Sequence, residues 1–461
     1  MRKIRFKLST LLMCLLSILV FSACKAGGEN PFPDHPDSDI LVYASFQPFG
    51  VNKDVQMIIE QFNRVHYGKI RIEIKDYWGD DWETAAQGRE RLMVELLTGQ
   101  IPDVLDLGYS NGSVAMLPYR QLVQKGYLEN LWPFIENDPD LGRGSLLEPP
   151  LRAAEIDGGL YTIFDSVQIS TLVGAEGTVG DRISWTMADL RTAYATMPKN
   201  ATVLEYITPR KQVAEHLLGM SIDQYIDWES GQCAFDCGNF RTNLEFLREI
   251  PEEVVWSSDE EVNRELSDRM QEGRQLLVQT FLSSPHDIQK WDGLFSGRTA
   301  FVGYPVEDGS VGSAFFPSFV RLSMSSACKN KEAAWEVIRQ LLFPRYTNQQ
   351  AVADAYFTHN IPVNRADYEI IRRTYMEKDF LNREYGFYRG FQSISFREVT
   401  EDEICRFEDL FNSVERIELS DSELQGIVME SAAPYFAGDK TLDETVDLIQ
   451  RRVQLYVNET R

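Results

Sequence analysis

Residues 108–112, Gly108-Tyr109-Ser110-Asn111-Gly112, fit the Gly-x-Ser-x-Gly spacing in which a serine on a sharp strand-to-helix turn becomes a nucleophile. His216, His286 and His359 lie downstream, so the order of a secreted serine hydrolase using Ser110 is available. A nucleophile elbow opens a helix beneath its serine, however. Here only Ser113 to Leu117 precede Pro118, whose ring and missing N–H favour a fresh turn over a continuing helix. The glycines are better read as shaping a loop, with the hydrolase kept as a rival. A glycosidase would need two carboxylates at a set separation, and 70 acidic residues leave no means of choosing a pair. No His-Glu-x-x-His, calcium-loop or phosphate-loop pattern occurs, and the five histidines do not cluster. Neither a metal nor a cofactor is therefore expected. Cys233-x-x-x-Cys237 lacks the second pair that zinc requires. It stays open whether those two close a small disulfide or remain free thiols.

Cys24 carries a different chemistry. Arg2, Lys3, Arg5 and Lys7 form a basic start, and Leu11 to Phe21 is apolar apart from Ser17. That run is too short to cross a hydrocarbon core of roughly 30 Å as a helix. Residues 1–23 read as a signal peptide ending at Phe21-Ser22-Ala23-Cys24, a pattern resembling a bacterial lipobox although Phe21 stands where Leu or Val is usual. Residues 24–38 then form a polar tether with Gly27, Gly28, Pro31, Pro33 and Pro36. Lipid on Cys24 would hold the chain at the outer face of a membrane without a spanning helix. Loss of the leader removes four basic residues and leaves 42 against 70 acidic ones, a formal charge of −28. A field of that sign argues against nucleic acid and against anionic membrane surfaces as partners.

The elements that must position any site begin at Ile40. Leu41-Val42-Tyr43-Ala44 predicts a buried strand, and Val55, Ile58, Ile59, Phe62 and Val65 predict a helix over 53–66. Ile70, Ile72 and Ile74 alternate as in a strand. A helix from Glu83 to Thr98 should turn Leu92, Met93, Leu96 and Leu97 inward and stop at Gly99, before a strand at Val104 to Leu107. This alternation is the signature of a parallel α/β sheet with helical crossovers. Further on, an apolar run at 167–173, a helix over 185–197, a strand at 300–304 and a helix over 333–343 follow. The last helix is announced by the capping box Thr441-Leu442-Asp443-Glu444.

Several stretches resemble extracellular solute-binding protein family 1. They are Leu96-Leu97-Thr98-Gly99-Gln100-Ile101-Pro102-Asp103, Lys125-Gly126-Tyr127-Leu128-Glu129-Asn130-Leu131, Gly303-Tyr304-Pro305, the block from Ser323 to Leu342, and Glu430 to Glu459 with Tyr435-Phe436-Ala437-Gly438. The set spans nearly all the chain after the leader, in the family's order. The resemblance implies a non-enzymatic, two-lobed periplasmic-binding-protein-like (type II) architecture with hinge-linked lobes. It further implies capture of a small solute, most often an oligosaccharide, by a monomer that delivers it to an ABC importer permease. A peptide or other solute on the same fold is the alternative. By this analogy one lobe takes 39–163 plus 301–343 and the other 164–300 plus 344–461.

A sugar site needs aromatic platforms with amide or carboxylate acceptors at strand ends facing the cleft. Phe46 and Gln47 follow the first strand. Trp78, Asp81 and Trp82 follow the second, where two indoles among carboxylates suit a surface better than a core. Asp106 and Tyr109 end the third, with Asp106 readable either as a ligand contact or as a satisfied structural carboxylate. Phe164 and Asp165 are expected at one hinge crossing and Tyr304 at another, and Trp291 is a candidate platform on the second lobe. Trp228 and Trp335 are expected to pack structurally.

Overall fold

The computed structural model describes residues 38–48, 50–106, 119–204, 210–251, 265, 268–346, 360–377, 386–389, 392–418 and 422–460. Cys24, the leader, Tyr109 and Ser110 lie outside the described residues, as does the side chain of Trp82. Strands β1 (Asp39–Ser45), β2 (Ile70–Asp76), β3 (Val104–Asp106) and β4 (Ile163–Phe164) start the first sheet. β1 runs parallel to both β2 and β3, with Ser45 opposite Asp76 on one side and Asp106 on the other. A strand in that position is covered on both sides, and Leu41, Tyr43 and Ala44 are all buried.

The ten-residue β5 (Ser166–Ala175) begins a second sheet and is its spine. β6 (Val278–Leu282), β7 (Thr299–Phe301) and β8 (Ala314–Pro317) all pair antiparallel to it. The chain then returns. β9 (Arg321–Met324) inserts antiparallel between β3 and β4 of the first sheet. β10 (Ile361–Pro362) and β11 (Arg416–Ile417) complete the second, beside β5 and β8 respectively. The resulting orders are β2-β1-β3-β9-β4 and β10-β5-β8-β11. Sequence reasoning placed 301–317 with the first lobe, whereas β7 and β8 pair within the second sheet. The return crossing is instead the short run Ser318–Val320 between β8 and β9.

The helices follow from local chemistry. Helix Lys53–Val65 starts where the Asn52 side chain accepts from the Asp54 N–H at 2.8 Å, and it buries Val55, Ile59 and Phe62. Helix Trp82–Thr98 has a capping box on Asp81 and Thr84 and ends at Gly99 in the left-handed region, φ 77°. Leu92 and Leu96 face the core with Ala85, but Leu97, expected inward, is 70 % exposed. At 100° per residue it sits too far round the helix from the 85–92–96 stripe. Helices Met187–Ala195 and Leu442–Thr460 start at Thr186 and Thr441, whose hydroxyls and the carboxylates three residues on close reciprocal bonds, as predicted for Thr441. Among the described residues no helix is long and apolar enough to cross a membrane.

One apolar core joins the inner faces of both sheets, from Leu41 and Tyr43 through Ile163 and Phe164 to Val167, Ile169 and Phe315. A second packs helices of the other lobe around Phe240, Leu244, Tyr304 and Val453. A third lies outside β1 and β3, under helix Trp82–Thr98.

Candidate ligand-binding site

Two of the predicted residues meet at the carboxyl ends of β1 and β3. Asp106, 2 % exposed, accepts from the Tyr43 hydroxyl at 2.9 Å, from Gln47 Nε2 at 3.0 Å and from the Arg321 backbone N–H at 3.3 Å. The same Gln47 amide donates to the Phe319 carbonyl at 2.7 Å, which ties the end of β1 to the return crossing. Both hydrogens of that amide are thereby used. Of the two readings for Asp106, the structure supports the structural carboxylate. It faces the buried Arg321 guanidinium, which burial pulls down to about 10 against the support of Asp106 and Glu418. Burial first and then the Asp106 charge push the Tyr43 phenol upward.

The aromatic residues are placed differently from expectation. Phe46 stacks on Tyr77 with centroids 6.3 Å apart and meets Trp78 edge-on at the same distance. Trp78 is only 3 % exposed, because this cluster packs under helix Trp82–Thr98. It is not the surface indole that the neighbouring carboxylates suggested. Asp81 is exposed and serves as a helix cap, with the Thr84 backbone N–H holding its carboxyl below the usual range. Trp291 lies on helix His286–Leu294, buried, with its indole N–H on Thr280 Oγ1 at 3.1 Å. Its helix turns Ile288 and Leu294 to the same core, so it is a core residue rather than a platform.

Phe164 is fully buried in the shared core. Asp165 is the single residue between β4 and β5, and it pairs with Arg345 Nη1 at 2.5 Å. Tyr304, expected at a crossing, is instead buried beneath the second sheet. There its hydroxyl meets Ser170 Oγ at 2.8 Å and accepts from Gln279 Nε2 at 3.0 Å. The Gly-Tyr-Pro turn takes that form because Gly303 has φ 71° and a Cβ on Gly312 would stand 1.7 Å from the Tyr304 carbonyl oxygen.

Between the lobes lies a cavity of about 380 Å³. Tyr119, Arg120 and the segment Ala153–Ile156 line it from one side, and Asp223, Trp228, Glu418 and Gln425 from the other. Arg120 sits over the partly buried Trp228 ring, 5.1 Å from its centroid, while the indole N–H is held by Asp223 Oδ1 at 3.1 Å. Arg89, on helix Trp82–Thr98, pairs with Glu423 of helix Ser422–Ala437 at 3.3 Å. Trp228 packs against the second core, as expected of it, and also stands on the cavity wall. Glu418 N–H donates to the Phe315 carbonyl at 2.7 Å, and burial pushes its carboxyl up to about 7. Ser170 and Arg321, which face it, oppose that shift. Among the described residues no His, Cys, Asp and Glu group could hold a metal.

No family profile matches the chain, and no curated protein matches it. Solved structures do. The sugar-binding protein MalE from the phytopathogen Xanthomonas citri superposes with a TM-score of 0.50 at 14% identity, covering 91% of this chain and 98% of its own. A periplasmic oligogalacturonide binding protein from Yersinia enterocolitica gives 0.52 at 14% identity, over 91% and 99%. The chain shares their two-lobed solute-binding-protein fold. Nearly complete coverage of both partners means that the match includes both sheets and the crossings between them, not one lobe alone.

Proposed function

We propose that this chain captures a carbohydrate in the cavity between its lobes and delivers it to an ABC importer, without catalysing a reaction. The observation that carries the reading is Trp228: an aromatic face at a polar inter-lobe cavity, with the Arg120 guanidinium, the Glu155 and Asp223 carboxylates and the Gln425 amide around it. Such a set suits a solute with weakly apolar faces and a rim of hydroxyls. The sugar-binding neighbours of the same fold lend support. We assign 39–164 with 321–342 to one lobe and 166–317 with 361–460 to the other, following sheet membership. Opening by rotation about Asp165 and Ser318–Val320 would part Arg120 from Trp228, and closure would restore the contact between them.

Lipid on Cys24 would keep this receptor as a monomer on the outer face of the cell membrane, near its permease. Metabolic labelling with a fatty-acid analogue tests that part, and a Cys24→Ala chain should not be labelled. Thermal-shift screening tests the rest. Neutral oligosaccharides should raise the melting temperature; peptides that do so while no glycan does would replace carbohydrate by peptide. The hydrolase rival finds little support in the histidines, since His286 is buried with Nε2 on the Arg397 carbonyl at 3.2 Å. Ester hydrolysis that disappears in Ser110→Ala would revive it.

A further inference from the structure

The inter-lobe cavity does not end at Glu418. The same residue, with Gln425, lines a second hollow of about 650 Å³ that runs along helix Ser422–Ala437 towards Arg210, His216 and Phe436. The two hollows share a wall made of one carboxylate and one carboxamide. Gln425 is fixed there, donating from Nε2 to the Gly219 carbonyl at 3.2 Å. Beside it Gly426 leaves open space where a Cβ would stand. Each hollow also carries a ring under a guanidinium, Trp228 under Arg120 and Phe436 under Arg210, the latter at 5.7 Å.

Glu418 itself is incompletely used. Its Oε2 is buried and has no hydrogen-bond partner, although part of the residue reaches the cavity. An unpaired buried carboxylate oxygen carries a desolvation cost that folding normally avoids. A donor brought by a ligand would remove that cost. We propose that Glu418 reads the solute at the junction of two successive subsites, accepting a hydroxyl from an oligosaccharide that runs from the Trp228 hollow into the Phe436 hollow.

Size and charge agree. The first hollow is at the small end of the ~300–1,000 Å³ usual for ligand sites, and the two together reach the large end. Around the first, Arg120 and Arg416 are set against Glu155, Asp223 and Glu415. Around the second, Arg210 and Lys211 face Glu215 and Glu430, with His216. With Glu418 in both walls the acids outnumber the bases in each hollow, which suits a neutral glycan better than an anionic one. From within the protein Arg321, Ser170 and Tyr304 face the carboxyl. Burial leaves it titrating near neutrality. A hydroxyl donated to Oε2 favours the anion, so capture should release a proton.

The proposal rests on the carbohydrate reading, and titration calorimetry on the full mature chain separates the two. The probes are ladders of one to five units of neutral gluco- and galacto-oligosaccharides, run at pH 7 in two buffers of different ionisation enthalpy. Affinity should rise at least tenfold between the monosaccharide and the trisaccharide. The buffer pair should report proton release, and Glu418→Gln should abolish that release and weaken the trisaccharide about tenfold. Glycans bound without gain beyond one unit, or bound by the parent chain with identical heats in both buffers, overturn the junction. This second readout needs no variant and so survives a misfolded Glu418→Gln. Binding of peptides with no glycan bound would overturn the carbohydrate reading itself, and the junction with it.

Discussion

Replacing Asp106 by Ala tests whether that carboxylate belongs to the frame or to the ligand. The side chain is 2 % exposed and accepts from the Tyr43 hydroxyl, the Gln47 amide and the Arg321 backbone N–H, all within 3.3 Å. Removing it leaves the buried Arg321 guanidinium with Glu418 as its remaining facing charge. Leaving buried donors without their acceptor costs about 1–3 kcal/mol, and a buried charge that loses a facing countercharge adds to that. The Tyr43 and Gln47 donors share that loss and do not add to it independently. A fall of about 3 kcal/mol in unfolding free energy is expected, with a melting temperature lower by on the order of 3–4 °C for a chain of this length. Urea titration followed by circular dichroism measures it. Asp106→Asn keeps volume but not charge, and pairing it with Arg321→Met closes a double-mutant cycle. A coupling of at least about 1 kcal/mol should appear. If Asp106→Ala costs under 1 kcal/mol while glycan affinity collapses, the carboxylate is a ligand contact and the structural assignment is wrong.

Trp228→Ala should weaken glycan binding by roughly thirtyfold, about 2 kcal/mol, by calorimetry, whereas Trp291→Phe should lower stability and leave binding alone. Gly312→Ala forces a Cβ to 1.7 Å from the Tyr304 carbonyl oxygen, so a loss of about 1–3 kcal/mol is expected in urea, and a neutral result would refute the close approach. Burial lowers the His286 pKa from 6.5 to about 4. Between those values the unfolded chain binds a proton that the folded chain does not. His286 therefore contributes stability that is present above pH 6.5 and lost as pH falls towards 4, up to about 3 kcal/mol. Urea midpoints taken from pH 7 to 4 should fall less steeply in His286→Gln, and parallel curves would refute the burial effect.

Those experiments also mark where the sequence was readable. Helix Lys53–Val65 and the capped Leu442–Thr460 announce themselves through spacing and neighbours along the chain. Trp291 was readable too. Its neighbours Gln289, Lys290 and Asp292 suggest exposure, yet Ile288, Trp291, Leu294 and Phe295 recur at helical spacing and share one buried face. The period outweighs the local polarity. Trp78 is different, since what covers it is Phe46 together with a helix that begins beyond Asp81. The acceptors of Gln47 Nε2 lie on Asp106 and on Phe319, 272 positions away, so no local pattern could separate a locked amide from a ligand contact. Trp228 was legible in part: it packs against the second core as expected, but its place on the cavity wall was not foreseen. It follows the two-residue strand Ile226–Asp227 in a turn, where the alternation that would aim a side chain has already ended.

Two of the three crossings that these lobes require are short, and they explain why these residues divide as they do. β4 and β5 are joined by Asp165 alone, and β8 and β9 by Ser318–Val320. Links this short leave little room for sliding, so relative motion of the lobes is rotation about them. Tyr43, Asp106 and Arg321 all stand on the first sheet, and their bonds keep their lengths through such a rotation. Glu418 follows β11 on the second sheet, so its approach to Arg321 would change with a rotation. A carboxylate that must be met anew at each closure cannot be given a permanent partner for both oxygens. On the proposed closure, that accounts for an unpaired Oε2 on Glu418 beside a fully satisfied Asp106. It also predicts different consequences for the two acids: loss of Asp106 should register in folding, and loss of Glu418 in capture.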